Sequence, residues 1–260
     1  MVCKQVAAWA VCVATAGVAM GAAATAPTYQ AGELPAVTVH LAGDSTVSEY
    51  PSTTKQEGWG MELKQFFNDK VTVDNQAQGG ANVQSFKASG RWAKILENVK
   101  PGDYVLYQFG ANDSGTAHGP VTPEDFAKTL EQMADEVKAK GGTSIFVTPS
   151  AFYEWKDGKE LNARLAPYAE AAQKAGHEKG VMVADLNARG VEWLNKEGEE
   201  KTKDFYFPSR TGAPDKAHFL KAGAVKMAGL VAGELVRIGS PLGEYVLKNK
   251  LEGYQAPNDK

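Results

Sequence analysis

The chain has 260 residues, 43% hydrophobic, 23% charged and 9% aromatic, a globular composition with enough length for one sizeable core. A net charge of −3 argues against a broad electrostatic grip on nucleic acid or anionic lipid. Two cysteines in this length exclude a disulfide-stapled miniprotein, and a single long apolar run excludes a multi-span membrane protein.

That run, Val6 to Ala26, follows Lys4 and ends in Ala22-Ala23-Ala24-Thr25-Ala26. A basic start, an apolar stretch and small residues ahead of a polar, Pro-containing segment describe a secretory signal peptide. A run built on alanine inserts weakly, which disfavours a transmembrane anchor. The expected cut follows Ala24, so that residues 1–24 are the signal and 25–260 a single domain with its core at about 37–238. Cys3 and Cys12 leave with the signal. The mature protein is expected outside the cytoplasm, secreted or periplasmic, as a monomer without stable membrane insertion or a nucleic-acid partner.

Beyond this segment strands and helices alternate. Predicted strands are Val37–Leu41, Val71–Asn75, Tyr104–Phe109, Ser144–Thr148 and Val181–Leu186, short runs of Val, Ile, Phe and Tyr bounded by Gly, Pro, Asn or Asp. Predicted helices are Trp59–Asn68, Gln84–Val99, Pro123–Lys140, Leu161–His177 and Lys221–Ile238. In the third, Phe126, Leu130, Met133 and Val137 recur at helical spacing, with Pro123 in the first turn and Gly141-Gly142 past the end. This alternation predicts an α/β fold: a three-layer α/β/α sandwich around a flavodoxin-like parallel sheet of about five strands. Such sheets bind ligands at the carboxyl ends of their strands.

At those ends stand Gly43-Asp44-Ser45-Thr46, Gln78-Gly79-Gly80 and Gly110-Ala111-Asn112-Asp113, and Asp215-Lys216-Ala217-His218 is expected to open the last helix. Singly, each fragment reads as a turn or a helix cap. Together they fit acyl transfer. Ser45 is the candidate nucleophile, His218 its base, and Asp215 the group that holds the imidazole tautomer. The N–H groups of Ser45 and Gly80 and the amide of Asn112 are candidate oxyanion donors. Other sites find no support: there is no G-x-S-x-G elbow, no H-E-x-x-H zinc helix and no phosphate loop, so neither a metal nor another cofactor is expected. His40, inside the first strand, reads as structural, His177 as a solvated helix end, and His118 as a loop residue that could line the cleft.

Ser45, Gly80, Asn112 and the pair Asp215 and His218 resemble the four blocks of the SGNH, or GDSL-type, hydrolases. Longer stretches are similar to the rhamnogalacturonan acetylesterase branch: Gly43-Asp-Ser-Thr-Val47, Gly58-Trp-Gly60, Gly90-Arg-Trp92, Lys100-Pro-Gly-Asp-Tyr104, Gln108-Phe-Gly110 and Val147-Thr-Pro149. The resemblance spans about residues 37–238 and implies a metal-independent esterase that deacetylates pectic polysaccharide, with the same residues in the same roles. The chain departs from the branch at Ala111, where a histidine is usual, at Ala81, where an arginine is usual, and at Ser150–Trp155, where basic residues are common. Arg91 is the one arginine in these blocks. Tyr153 and Trp155, with His118 and Arg91, are therefore candidate substrate contacts. The aromatic faces suggest neutral sugars, although they would serve equally to pack a loop. The expected partner is an acetylated oligo- or polysaccharide. The alternatives are a GDSL-type lipid or small-ester acylhydrolase and, from another class, a carbohydrate-binding protein without turnover.

Overall fold

Residues 34–115 and 119–254 are described by a computed structural model; the expected signal segment and His118 lie outside them. Five parallel strands form the central sheet: β1 (Val37–Gly43), β2 (Val71–Asn75), β3 (Tyr104–Gln108), β4 (Thr143–Val147) and β5 (Met182–Ala184). Their order is β2-β1-β3-β4-β5. The chain leaves β1 for β2 on one side and returns to β3 on the other, so the order reverses between β1 and β3. Crevices form at such a reversal because successive connections leave in opposite directions.

The strand sequences alternate between two apolar faces, as a sheet covered on both sides requires. Val39, Leu41, Leu106, Ile145 and Val147 join one buried cluster, whereas Ala42, Val105, Tyr107 and Phe146 join the other. Helices α1 (Trp59–Glu62), α6 (Leu186–Glu197) and α7 (Lys221–Arg237) contribute Trp59, Trp193, Leu194 and Leu230 to the first cluster. Helices α2 (Val83–Lys87), α3 (Gly90–Asn98), α4 (Pro123–Ala139) and α5 (Ala166–Lys179) contribute Phe86, Ile95, Leu130 and Ala172 to the second. The fold is thus the three-layer α/β/α sandwich.

Four local features differ from the sequence expectation. The stretch 84–99 is two helices, because Ser89 is extended (φ −85°, ψ 157°) and separates α2 from α3. The last strand of the sheet stops at Ala184: Asp185 accepts a hydrogen bond from the Ala188 N–H and so caps α6, a helix the sequence reading did not assign. Residues beyond 238 also reach the core, with Leu242, Tyr245, Val246 and Leu251 buried and Tyr254 edge-on to Phe66. Finally, Asp215 and His218 do not open a helix. They lie on β6 (Pro214–Leu220), which pairs antiparallel with Gln56–Glu57 and Tyr206–Pro208, and α7 begins only at Lys221.

Candidate active site

The loop leaving β1 is held on every side. Asp44 Oδ1 accepts from the Thr46 N–H at 2.9 Å and lies 2.8 Å from the Thr46 hydroxyl, the Asp44 carbonyl accepts from the N–H groups of Val47 and Ser48, and the Tyr50 hydroxyl donates to the Ser45 carbonyl at 2.8 Å. From α1, the Trp59 N–H donates to the Thr46 carbonyl at 2.8 Å. This seat requires glycine on either side of Trp59, since a Cβ at Gly58 would stand 2.3 Å from the Ser48 carbonyl oxygen and one at Gly60 2.5 Å from that of Val47. Ser45 is left partly exposed at the tip of a rigid turn.

The two neighbouring loops lock onto this one and onto each other. The Gln78 N–H donates to the Gly43 carbonyl, and Gly79 lies beside Ser45, its would-be Cβ 3.9 Å from the serine Cβ. Gly80 has φ +79°, a left-handed conformation, so glycine is required there by backbone handedness. Asn112 Nδ2 donates to the Ala81 carbonyl at 3.0 Å. Buried Asp113 accepts from the Val83 N–H through one oxygen and from the Gly110 N–H through the other, both at 2.9 Å. Among the described residues no hydrogen bond occupies the N–H groups of Ser45 and Gly80 or the second amide proton of Asn112. These are free donors of the kind a developing oxyanion needs.

His218 and Asp215 reach this point from β6. In a regular strand, residues three apart face opposite sides. Here the register shifts between Pro214 and Phe219, and Asp215 Oδ1 accepts from the N–H groups of Ala217 (2.7 Å) and His218 (2.9 Å), folding the strand into a bulge. Both side chains then point the same way. His218 Nδ1 lies 3.0 Å from Asp215 Oδ1, and His218 Nε2 lies 3.0 Å from Ser45 Oγ. With its proton on Nδ1, the imidazole has Nε2 free to accept the serine proton.

Charges in the site are shifted in matching directions. Partial burial pushes the Asp215 carboxyl up, but the hydrogen bonds from the His218 ring and the two N–H groups outweigh it and bring it to about 2. The Asp215 hydrogen bond raises His218 above the ordinary imidazole value, against the opposing effect of burial. Burial raises Asp113 to about 6. Burial moves Tyr50 to about 12.

Of the expected substrate contacts, Arg91 is exposed at the start of α3 and donates to the carbonyls of Gln76 and Ala77 at 3.3 Å, bracing the loop that carries Gly80. Tyr153 packs its ring on Tyr206 and Trp155, and its hydroxyl donates to the Glu199 carbonyl. Its backbone N–H donates to the Lys216 carbonyl, which places this segment alongside β6. Trp155 is half-buried on a two-stranded ribbon, Trp155–Lys156 with Lys159–Glu160. Phe152 is buried, with the Arg164 guanidinium 5.2 Å from its ring centre.

Arg164 was not among the sequence candidates. It donates to the Ala111 carbonyl at 3.0 Å and to Ser114 Oγ at 2.9 Å, on the loop of Asn112, and stays exposed. A cation therefore stands beside the loop that carries Asn112, in addition to the aromatic faces of Tyr153 and Trp155. The sequence alone likewise assigns no role to Asp113, Tyr50 and Asp44, although Asp44 and Asp113 are the direct neighbours of Ser45 and Asn112.

A doubly covered parallel sheet with Ser, His and Asp in hydrogen-bonded series at its switch point defines a hydrolase of the three-layer α/β/α class. The model of the GDSL-like Lipase/Acylhydrolase family matches residues 41–224, and the chain belongs to this family. It is a carboxylic ester hydrolase. The chain is 32% identical over 215 residues to the "Probable rhamnogalacturonan acetylesterase YesY" of Bacillus subtilis, covering 82% of this chain and 98% of that one. It is 32% identical over 225 residues to the same organism's "Rhamnogalacturonan acetylesterase RhgT", covering 82% and 96%. Among solved structures, that of Bacillus subtilis protein YxiM superposes with a TM-score of 0.71 at 31% identity, over 79% of this chain and little more than half, 57%, of that one. Axe2, an acetylxylan esterase from Geobacillus stearothermophilus, shares the fold at a TM-score of 0.58 and 17% identity, over 80% of this chain and 96% of that one.

Proposed function

We propose that this chain is an exported serine acetylesterase acting on an acetylated polysaccharide of the rhamnogalacturonan kind, as a monomer without cofactor. The observation that carries this reading is the series Ser45 Oγ, His218 Nε2, His218 Nδ1, Asp215 Oδ1, with both hydrogen-bond contacts at 3.0 Å, beside unoccupied N–H donors. Ser45 Oγ attacks the acetyl carbonyl while Nε2 takes its proton, and Asp215 stabilises the imidazolium. The Ser45 and Gly80 N–H groups and the Asn112 amide receive the oxyanion. On collapse, His218 returns the proton to the departing sugar oxygen, and water then releases acetate by the same steps in reverse.

The names of the curated relatives support the substrate class, and Arg164 supports an acidic sugar near the ester, since its planar guanidinium suits a carboxylate. Export is supported by Lys4 and the apolar run Val6–Ala26, and among the described residues no helix is long and apolar enough to cross a membrane. The test is acetate release from acetylated rhamnogalacturonan oligomers, set against fatty-acid release from long-chain esters, by the wild type and Ser45→Ala. The proposal requires acetate release that the variant loses while staying folded. Turnover confined to long-chain esters would move the chain to the lipid acylhydrolases, and turnover by folded Ser45→Ala would remove the nucleophile.

A further inference from the structure

Beneath Ser45 lies a closed polar chain that the acyl-transfer steps do not use. Thr46 Oγ1 sits 2.8 Å from Asp44 Oδ1 and 2.7 Å from Gln108 Oε1. The Trp59 indole donates to the same Gln108 oxygen at 2.8 Å. An indole N–H only donates, so this contact fixes which end of the Gln108 amide is the oxygen; turned over, Nε2 would face another donor. Thr46 thus lies between two oxygens at hydrogen-bonding distance and has one hydroxyl proton. One of the two contacts needs a proton from elsewhere, and a carboxylic acid at Asp44 is the group able to supply it.

The surroundings agree. Asp44 is wholly buried, and its Oδ2 has no hydrogen-bond partner, a position that is costly for an anion and tolerable for a neutral acid. Burial pushes the carboxyl up, opposed chiefly by the hydrogen bond from the Thr46 N–H, and further by a charge on His218 and by the Ala111 N–H. The other titratable groups acting on this pocket are Asp113, from the loop after β3, and Tyr50, from the loop after β1. Asp113 needs no proton, because each of its oxygens accepts one backbone N–H. Of two neighbouring buried carboxyls, the hydrogen-bond inventory therefore makes Asp113 the anion and Asp44 the acid.

We propose that Asp44 is protonated in the resting enzyme at neutral pH and donates through Thr46 Oγ1 to Gln108, which keeps negative charge away from the N–H groups that receive the oxyanion. Asp44 is a positioning residue here, acting through the Ser45 turn. The inference rests on the reading of that turn as the nucleophile's.

The test is carbon NMR of the full chain labelled at aspartate Cγ, with Asp44 assigned as the resonance missing from Asp44→Asn. The expected result at neutral pH is a Cγ shift in the carboxylic-acid range, upfield of carboxylate. Thr46→Val should move that resonance toward carboxylate, because an acid loses its acceptor; an ionised Asp44 would lose a donor and move the other way. The Thr46→Val shift also identifies Asp44 if Asp44→Asn does not fold. A carboxylate shift in the wild type, or movement toward the acid in Thr46→Val, overturns the proposal. In the pH profile of Asp44→Asn, the acid limb should stay in place. A limb displaced to lower pH would show that an anion supporting His218 had been removed, and would overturn it too. Turnover by Ser45→Ala would sink the nucleophile reading yet leave the Cγ shift readable, so the two failures are distinguishable.

Discussion

Replacing Asp215 by asparagine isolates the charge of this residue from its geometry. Aspartate Oδ1 alone accepts all three hydrogen bonds, from the His218 ring, the His218 N–H and the Ala217 N–H. Two of these donors are backbone groups, so they hold the asparagine carbonyl oxygen inward and its NH2 outward. The ring then keeps Nδ1–H facing an oxygen, and the productive tautomer survives. What disappears is the anion that stabilises the imidazolium. A hydrogen bond to a charged group contributes about 1.5–3 kcal/mol; both side chains are 32% exposed, and solvent screening places this pair at the lower end, about 1.5–2 kcal/mol. The expected loss in kcat is therefore roughly 10- to 30-fold. That is far less than the roughly 10⁴-fold loss that follows when such a replacement leaves the wrong tautomer.

The same substitution changes the pH profile. Asp215 raises His218, and catalysis needs the neutral ring, so the wild-type rate falls as pH drops through a value above that of free imidazole. Without the anion, His218 protonates only at lower pH, and the acid limb moves down. Aryl acetate hydrolysis across pH 4 to 9 would measure both effects (the range being about that over which imidazole titrates). A loss of 10⁴-fold, or a limb that stays in place, would refute the argument that backbone donors fix the asparagine.

Other consequences are as direct. Asn112→Ala should lower kcat roughly a hundredfold or more with KM nearly unchanged, and a change confined to KM would place Asn112 in ground-state binding. Arg164→Ala should raise KM for acidic acetylated oligomers and weaken its salt dependence, leaving aryl acetate hydrolysis within about threefold of wild type; equal KM on acidic and neutral oligomers would remove Arg164 from substrate recognition. Among the described residues no group of three or more His, Cys, Asp or Glu side chains is arranged to hold a metal ion, so chelator treatment should leave the rate unchanged, and a loss restored by zinc would contradict the serine mechanism.

How much of this was legible depended on whether the information was local. The sheet was readable because Val39, Leu41, Val105, Leu106, Ile145 and Phe146 supply apolar side chains to both faces, and only a doubly covered strand tolerates that. Ser45, Gly80 and Asn112 were readable because strand ends at a switch point are where polar fragments have work to do. Helix α6 was not, because Val181 to Leu186 reads as one β-rich run and the stop at Ala184 depends on Asp185 capping a helix. Arg164 contacts a carbonyl 53 positions away, and nothing in its own neighbourhood announces that contact.

The pair Asp215 and His218 shows the limit most clearly. The identity of both residues was evident, while their setting was not, since Asp-x-x-His also matches a helix turn, in which residues three apart share a face. The structure reaches the same outcome by bending a strand. Pairing of Phe219 with Glu57 and Tyr206 forces an extended backbone on one side of the motif. The carboxylate then takes up the two N–H groups that the bulge removes from the ladder. Asp215 thus performs two tasks with one oxygen: it closes the bulge that aims His218 at Ser45, and it carries the charge that makes His218 a stronger base. Alanine at this position would remove both at once. Its rate should consequently fall well below that of Asp215→Asn, and addition of formate should restore little of it, because a free anion replaces the charge and leaves the backbone donors unfolded from their turn. Rescue by formate to the level of Asp215→Asn would show that the bulge stands without its carboxylate.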